Sequence, residues 1–510
     1  MTQHIVIDTS SQAGTISPET YGHFIEHLGR CIYDGIWVGE DSSIPNVEGF
    51  RQEAVDVFRA VNAPLIRWPG GYFADCYNWR DGIGHRETRP CRFHNFEPAF
   101  QEPNQMGTHE FLRFCELVGA APNICVNTAT LGPQEAMDWV EYCNHDGASS
   151  MASLRRQNGR AKPWGVKYWA IGNECYYMHR SQAYVDRYLL WRAHMRRVDE
   201  SIQCIASLME PCCRTFMART SDWLPEVISG IHEHMELASL HVYTLAGPGE
   251  GFDADQYWNA LVQIDHKNRH RIEAFLGAID AVVGRPKIKL ALDEWGLWHT
   301  RATMSNNCEQ PCTQRDAIFA ARYFHMLHGL ADRIGLATVA QGVNVLQAML
   351  RTDGPRSYRT PTFHVFEMFK AHQGGKVLSA LVSSGRKEIP PSLKEHRFFD
   401  RGELSVVTAS ATLSPDGQSI LLSATNADLE KSFDYEVRFV GELKPRGTIN
   451  CRILADDPHA QNSYDQPDRV QPRQAKASLD KAGTVKVTLP PCSIATLSIN
   501  VSAGERPRAS

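Results

Sequence analysis

The chain has 510 residues, of which 43% are hydrophobic and 22% are charged, and its formal net charge is -5. This length and composition can bury a large core, so we expect two folded domains and exclude a disordered chain. The negative charge leaves no basic surface to collect phosphates, which argues against a nucleic-acid partner and favours a neutral substrate.

Targeting and metal-binding signals are missing from the sequence. No run reaches the roughly 18 apolar residues of a membrane-spanning helix, and MTQHIVIDTSSQ lacks the charged start and apolar centre of a secretory signal. We therefore expect no membrane partner and a cytoplasmic location, where the 14 cysteines would be free thiols. Neither Cys212 with Cys213 nor Cys308 with Cys312 offers four zinc ligands, so no metal is predicted.

The first segment, HIVIDTS, alternates apolar and polar residues as a half-buried strand does. Residues 1–15 are predicted to pair with strands at the other end of the chain. The large domain over 16–375 would then be inserted between the first strand of a second domain and the rest of it.

Eight short apolar runs rich in β-branched and aromatic residues follow, and stretches with helical period separate them. Helices are predicted over 49–61 and 182–200, and another is predicted after Thr313, which with Asp316 resembles an N-cap pair. Eight strands alternating with helices predict a (β/α)8 TIM barrel. The runs cover 21–28, 63–71, 121–129, 166–174, 204–211, 236–244, 287–296 and 337–346.

After about residue 375 the pattern changes to short alternating segments joined by turns, such as the one at Ser414 to Gly417. Residues 376–502 are therefore predicted to form an antiparallel β-sandwich, jelly-roll-like in character. Residues 503–510 are predicted to be a flexible tail.

Polar side chains fall late in the barrel runs, where a TIM barrel places its chemistry. These residues are Glu26, Arg67, Asn127, Glu174, Glu210, Tyr243, Glu294 and Gln341. A retaining glycosidase needs one carboxyl group as nucleophile and another as acid, about 5 to 5.5 Å apart. Glu174 and Glu294 end the fourth and seventh runs and suit these roles, although either alone is as often a salt-bridge partner. Burial and the second negative charge are expected to raise the pKa of Glu174.

Five motifs in order resemble glycoside hydrolase family 51, the α-L-arabinofuranosidases. The resemblance implies a barrel beside a β-sandwich, no cofactor, retention of configuration, Glu174 as acid/base and Glu294 as nucleophile. The motifs are YGHFIEHLGRCIYDGIW, RWPGGYFADCYNWRDGIG, KYWAIGNE, ALDEWGLW and AQGVNVL.

The resemblance also implies contacts around the glutamates. Glu26 would bond sugar hydroxyls, while Arg67 and Tyr243 would hold the carboxylate of Glu294. The alternatives are a structural ion pair between Glu26 and Arg67 and a merely packed Tyr243. His23, His27 and His241 are expected to be packed or hydroxyl-bonded more often than catalytic.

Asn173 and Gln341 would complete the hydroxyl contacts, and Trp298 would wall the site unless it only packs there. The chain departs from the family at Tyr72, where a smaller residue is usual, and this side chain would either narrow the pocket or turn away. The sequence CYYMHRSQAY after Glu174 also lacks the family's longer loop, which affects leaving-group preference.

The sequence therefore predicts an exo-acting retaining enzyme that removes terminal α-L-arabinofuranosyl groups from oligosaccharides of arabinan or arabinoxylan. One alternative is a β-xylosidase or endoglucanase of the same clan, because the two-glutamate apparatus is shared. Another is an inactive carbohydrate-binding protein. The resemblance further implies a homo-oligomer, with a hexamer as one form.

Overall fold

Eight parallel strands close into a barrel and follow one another around it in chain order. The computed structural model describes residues 3–94, 100–209, 222–245, 254–284, 287–388 and 403–503. Each predicted run overlaps one barrel strand, so the predicted (β/α)8 barrel is confirmed. With β1 (Gln3–Thr15) preceding them, the strands are β2 (Gly22–Phe24), β3 (Leu65–Trp68), β4 (Ala121–Val126), β5 (Tyr168–Ile171), β6 (Gln203–Ser207), β7 (Leu237–Leu245), β8 (Lys289–Trp298) and β9 (Ile334–Ala340).

Helices cover the outside of the barrel because each buries one apolar face against the strands. The helices predicted over 49–61 and 182–200 are present as Gln52–Ala60 and Ser181–Val198. The described helices are α1 (Gln52–Ala60), α2 (Thr108–Val118), α3 (Pro133–Asn144), α4 (Ser150–Gln157), α5 (Ser181–Val198), α6 (Trp223–Ile231), α7 (Ala254–Val262), α8 (Arg269–Val283), α9 (Gln314–His328) and α10 (Pro361–Phe369).

Helix α9 begins at the predicted cap. The backbone N–H and the hydroxyl of Thr313 each donate to Asp316 Oδ2 at 2.7 Å, which satisfies groups that a helix start leaves unpaired. His299 Nε2 lies 2.8 Å from the other oxygen of Asp316. Nearly every residue of α9 is buried because the helix is enclosed between the barrel and the C-terminal strands.

The C-terminal strands are β10 (Lys376–Val382), β11 (Val407–Leu413), β12 (Ser419–Asn426), β13 (Phe433–Val440), β14 (Leu443–Ala455), β15 (Arg473–Ala475), β16 (Ala477–Leu479), β17 (Val485–Leu489) and β18 (Ser493–Ala503). With β1 they form a ten-stranded sheet in the order β15-β14-β18-β12-β11-β10-β1-β13-β17-β16. Strand β1 lies inside this sheet, antiparallel to β10 and parallel to β13. Strand β14 contacts both β13 and β16, so the sheet closes over a core that includes Ile5, Ile7 and Leu422.

Three histidines join the barrel to this sheet and together form what we call the histidine row. Each imidazole bonds a hydroxyl on one face of β11, where alternate residues share a face. The pairs are His325 with Thr408 at 2.9 Å, His328 with Ser410 at 2.8 Å and His372 with Thr412 at 2.7 Å. Burial lowers the pKa of all three imidazoles, that of His328 to about 3.

Some predicted features lie outside the described residues. These are Glu210, the pair Cys212 and Cys213, and residues 504–510 of the predicted tail. Of the helices that the structure does describe, none combines the length and apolar character needed to cross a bilayer.

Candidate active site

The two glutamates meet at the C-terminal ends of the barrel strands. Carboxylate oxygens of Glu174 and Glu294 lie within 4.8 Å of each other and of a ring nitrogen of His241. Glu174 follows β5 in the left-handed backbone region, at a φ of 41°, which costs energy for a side chain other than glycine. The folded barrel maintains this strained turn, and the turn brings Glu174 opposite Glu294.

Two donors fix the carboxylate of Glu294. Arg67 Nη1 donates to Oε1 at 2.7 Å, and the Tyr243 hydroxyl donates to Oε2 at 2.9 Å. A Cβ atom at Gly71 would lie only 2.7 Å from Oε1, so this glycine leaves room for the carboxylate. Both donors hold the carboxylate in place, because hydrogen bonds to a charged group are among the strong ones.

Arg67 connects Glu294 to the neighbouring polar groups. Its Nη2 donates to Asn173 Oδ1 at 2.7 Å, which orients the Asn173 amide, and its Nε lies 3.6 Å from Asp293 Oδ2. Phe24 packs against the guanidinium, with 4.4 Å between Cζ and the ring centroid. The described bonds of Arg67 thus run to Glu294, Asn173 and Asp293, and the alternative of an ion pair with Glu26 is wrong.

Glu26 lies buried on the floor of the site. Its Oε1 accepts from the Gly71 N–H at 2.8 Å, and its Oε2 accepts from Gln341 Nε2 at 2.9 Å. Burial, followed by the charge of Glu294, raises the pKa of Glu26 to about 7. Gln341 Oε1 is buried and has no hydrogen-bond partner among the described residues, so it can accept a hydrogen bond from a ligand hydroxyl.

The pKa of Glu174 is shifted in the opposite direction to the one predicted from the sequence. Its Oε1 lies 2.9 Å from His241 Nδ1 and accepts from the Tyr176 hydroxyl at 3.2 Å. Burial alone would raise the pKa of Glu174, but the hydrogen bond and charge of His241, with the Tyr176 bond, lower it below its usual value. The predicted rise is therefore wrong, because the prediction did not include His241.

The groups behind His241 were not predicted from the sequence. The Nε2 atom of His241 lies 3.3 Å from Asp293 Oδ1, which accepts from the Ser239 hydroxyl at 2.6 Å. Burial opposes a charged imidazole, yet Glu294, Asp293 and Glu174 raise the pKa of His241 to about 10. A signal was present, since alternate residues of β7 share a face and Ser239 and His241 precede Tyr243 at that spacing.

The remaining predicted residues lie at the edge of the site or outside it. The Trp298 ring packs edge-on against Tyr243 at 5.1 Å, and its Nε1 donates to the Ala302 carbonyl oxygen at 2.9 Å. Tyr72 begins a short 3-10 helix (Tyr72–Cys76) directly after Gly71 and is 43% exposed. Asn127 Oδ1 caps the turn that follows β4 by accepting the N–H of Thr130 at 2.9 Å, so it has a structural role.

The arrangement is that of a barrel glycosidase, in which paired carboxylates act on a glycosidic bond. Family models for the α-L-arabinofuranosidase 1 domain and the α-L-arabinofuranosidase C-terminal domain match residues 57–246 and 293–493. The chain is 34% identical to an intracellular exo-α-L-arabinofuranosidase of Bacteroides ovatus, over 95% of this chain and 93% of that protein.

Solved structures agree with these matches. The family 51 arabinofuranosidase from Xanthomonas axonopodis pv. citri is 31% identical, with a TM-score of 0.87 over 98% of this chain and 100% of that one. An α-L-arabinofuranosidase from Thermotoga maritima in complex with arabinose is 28% identical, with a TM-score of 0.84 over the same shares. The chain belongs to glycoside hydrolase family 51 and is an α-L-arabinofuranosidase.

Proposed function

We propose that this enzyme releases terminal α-L-arabinofuranosyl groups with retention, through a covalent intermediate on Glu294. The observation that carries the proposal is the separation of the two glutamates, within 4.8 Å between carboxylate oxygens. Retaining enzymes hold their carboxyl groups about 5 to 5.5 Å apart, whereas inverting enzymes leave about 6.5 to 9.5 Å for a water molecule.

In the first step Glu294 attacks the anomeric carbon while a proton passes to the departing oxygen. Arg67 and Tyr243 donate to the two oxygens of the attacking carboxylate and aim it. The proton belongs to the pair of Glu174 and His241, and in the free enzyme it resides on the imidazole, whose pKa is about 10. When the leaving oxygen meets Glu174, transfer across the 2.9 Å bond gives Glu174 its acid form.

In the second step Glu174 acts as the base. The ester on Glu294 carries no charge, so Glu174 remains ionised beside His241 and accepts a proton from the attacking water. Glu26, Asn173 and Gln341 supply polar contacts for the sugar hydroxyls. Trp298 packs against Tyr243, and the exposed Tyr72 follows Gly71, so these are the side chains we expect to limit what the leaving group can be.

The substrates we propose are arabino-oligosaccharides derived from arabinan or arabinoxylan, hydrolysed inside the cell from a chain end. The relative from Bacteroides ovatus is named intracellular and exo-acting, and the Bacillus subtilis relative, 28% identical, is named an intracellular exo-α-(1->5)-L-arabinofuranosidase. A relative from Bifidobacterium longum, 29% identical, is named for the 1->6 linkage. A screen of branched and linear oligosaccharides would define the linkage, and sedimentation would test the proposed homo-oligomer.

The roles of the two glutamates are tested by replacing each with alanine. Glu294→Ala should lower kcat on an aryl arabinofuranoside by several orders of magnitude, and added azide should restore turnover with an inverted azide product. Glu174→Ala should spare substrates with good leaving groups, and azide should then give a retained product. An enzyme that prefers aryl xylosides or carboxymethylcellulose, or that turns over nothing, would contradict the proposed activity.

A further inference from the structure

The two catalytic glutamates and His241 bring three potential metal-ligand atoms close together. His241 Nδ1 lies 2.9 Å from Glu174 Oε1 and 3.4 Å from Glu294 Oε2, and one ligand atom from each residue lies within 4.8 Å of the others. Zinc binds nitrogen and carboxylate oxygen at about 2.0 to 2.2 Å, which places tetrahedral ligands about 3.3 to 3.5 Å apart. Zinc binding therefore needs the His241–Glu174 contact to open slightly and the two carboxylates, whose oxygens lie within 4.8 Å, to close toward this spacing.

The groups behind the imidazole also match those of zinc proteins. A histidine that binds zinc usually donates its other ring N–H to a carboxylate, which fixes the ring and the tautomer. Asp293 Oδ1 is 3.3 Å from His241 Nε2, and Ser239 holds that oxygen at 2.6 Å. Nδ1 is thereby directed between the two glutamates.

The oxygens keep their other partners when a metal binds. Tyr243 donates to Glu294 Oε2 and Tyr176 donates to Glu174 Oε1, but a carboxylate oxygen has two lone pairs and can accept a bond while it binds a cation. With a neutral imidazole, the charges of Glu174, Glu294 and Asp293 exceed the single charge of Arg67. The site therefore attracts a divalent cation.

We propose that Zn²⁺ binds to Glu174, His241 and Glu294 and inhibits the enzyme in competition with substrate. This inference rests on the function proposed above, because it makes the catalytic pair the regulatory site. The ion displaces the proton shared by Glu174 and His241 and occupies the space between nucleophile and acid. Mg²⁺ does not replace it, since Mg²⁺ prefers six oxygen ligands and dehydrates reluctantly.

The test combines calorimetry with inhibition kinetics on the full chain. ZnCl₂ should bind one ion per chain and inhibit aryl arabinofuranoside hydrolysis competitively, while MgCl₂ should not inhibit. Asp293→Asn should raise the inhibition constant for zinc about 10- to 100-fold by removing the carboxylate behind the imidazole. His241→Asn should raise it at least as much, measured on residual activity, and melting curves would show that both variants fold.

Thiols are the competing zinc ligands, so the control replaces Cys76, Cys91, Cys212 and Cys213 with serine. Cys76 and Cys91 are exposed, and the other two lie outside the described residues. This variant should keep the inhibition constant of the parent. Non-competitive inhibition, an unchanged constant in His241→Asn, loss of inhibition in the serine variant, or no heat of zinc binding would overturn the inference. Calorimetry does not depend on turnover, so an enzyme inactive on arabinofuranosides would refute the proposed function separately.

Discussion

His241 contacts both catalytic carboxyl groups, and its partners decide where the acid proton resides. Asp293 and Glu294 stabilise the imidazolium, and the imidazolium lowers the pKa of Glu174. In the free enzyme the proton is therefore bound to His241, and the carboxyl group of Glu174 is ionised. Across the neutral range the pair therefore holds one proton, which resides on the imidazole.

Replacing His241 with asparagine should shift the alkaline side of the pH profile. The parent pair loses its proton near the pKa of His241, about 10, whereas the variant keeps only the carboxyl proton of Glu174, which is lost at lower pH. The alkaline limb of kcat/KM should move toward neutrality. Steady-state rates across the pH range would show this, and an unmoved limb would mean that His241 does not share the acid proton.

Tyr243→Phe isolates the phenol from the ring. The variant keeps the edge-on contact with Trp298 and loses the 2.9 Å bond to Glu294 Oε2. Because one donor aimed at a reacting group contributes about 10²- to 10³-fold, kcat should fall by about 10². A kcat within a few-fold of the parent, with an unchanged melting temperature, would reduce Tyr243 to a packing residue.

Much of this site could be predicted from single residues. Motif resemblance identified Glu26, Arg67, Asn173 and Gln341, and the structure brings them together with the two glutamates. The sequence could not show the ionisation of Glu174, because that depends on which nitrogen faces which oxygen across β5, β7 and β8. A lone histidine in a strand is ambiguous until its partners are known.

At the level of elements, the histidine row makes the contact between barrel and sheet sensitive to acid. His325 and His328 on α9, with His372 after α10, bond hydroxyls of β11. The pKa values of these imidazoles lie below 6.5 in the folded chain. The unfolded chain thus binds more protons below about pH 6.5, and stability falls as the pH falls.

As the pH falls below 6.5, each histidine of the row should lower the free energy of unfolding by about 1.4 kcal/mol per pH unit. This loss ends at the pH where the histidine also binds a proton in the folded chain. His372→Gln should therefore lose less stability between pH 7 and pH 5 than the parent. His459→Gln, at an exposed position, is the matched control and should behave as the parent does. Differential scanning calorimetry measures the comparison, and equal acid sensitivity of all three proteins would contradict it.

Barrel strands were predictable as elements, because fully buried parallel strands appear as short apolar runs. The residues at which the strands begin and end were less predictable. Run 337–346 contains only the end of β9, since the strand starts at Ile334 and the polypeptide turns after Ala340. The pairing order of the sandwich also depends on long-range contacts that no local pattern encodes.

The whole molecule depends on one strand from the far end of the chain. Strand β1 pairs with β10 and β13 inside the sheet. The barrel is therefore inserted in the sequence between the first strand of the sheet and its other strands. Helix α9 is buried between the two parts. A substitution that disrupts the buried face of β1 should therefore destabilise the sheet. It should also expose the part of the barrel, including α9, that packs against the sheet.

A pair of aspartate substitutions tests this dependence. Ile7 is fully buried in β1, while Leu381 on the adjacent β10 is 69% exposed. Ile7→Asp places a charge in the core and should lower the stability by several kcal/mol, whereas Leu381→Asp should change it by less than about 0.5 kcal/mol. Thermal melts followed by circular dichroism and by activity would compare them, and similar melting temperatures would contradict the dependence.

The central claim is that an ester forms between the sugar and Glu294. It is tested most directly by incubating the enzyme with a 2-fluoro arabinofuranosyl donor, which slows the second step, and mapping the labelled peptide by mass spectrometry. We predict one 2-fluoro-arabinofuranosyl adduct per chain, attached to Glu294, that water slowly releases with retained configuration. A label on another residue, or an inverted product with no adduct, would contradict the account.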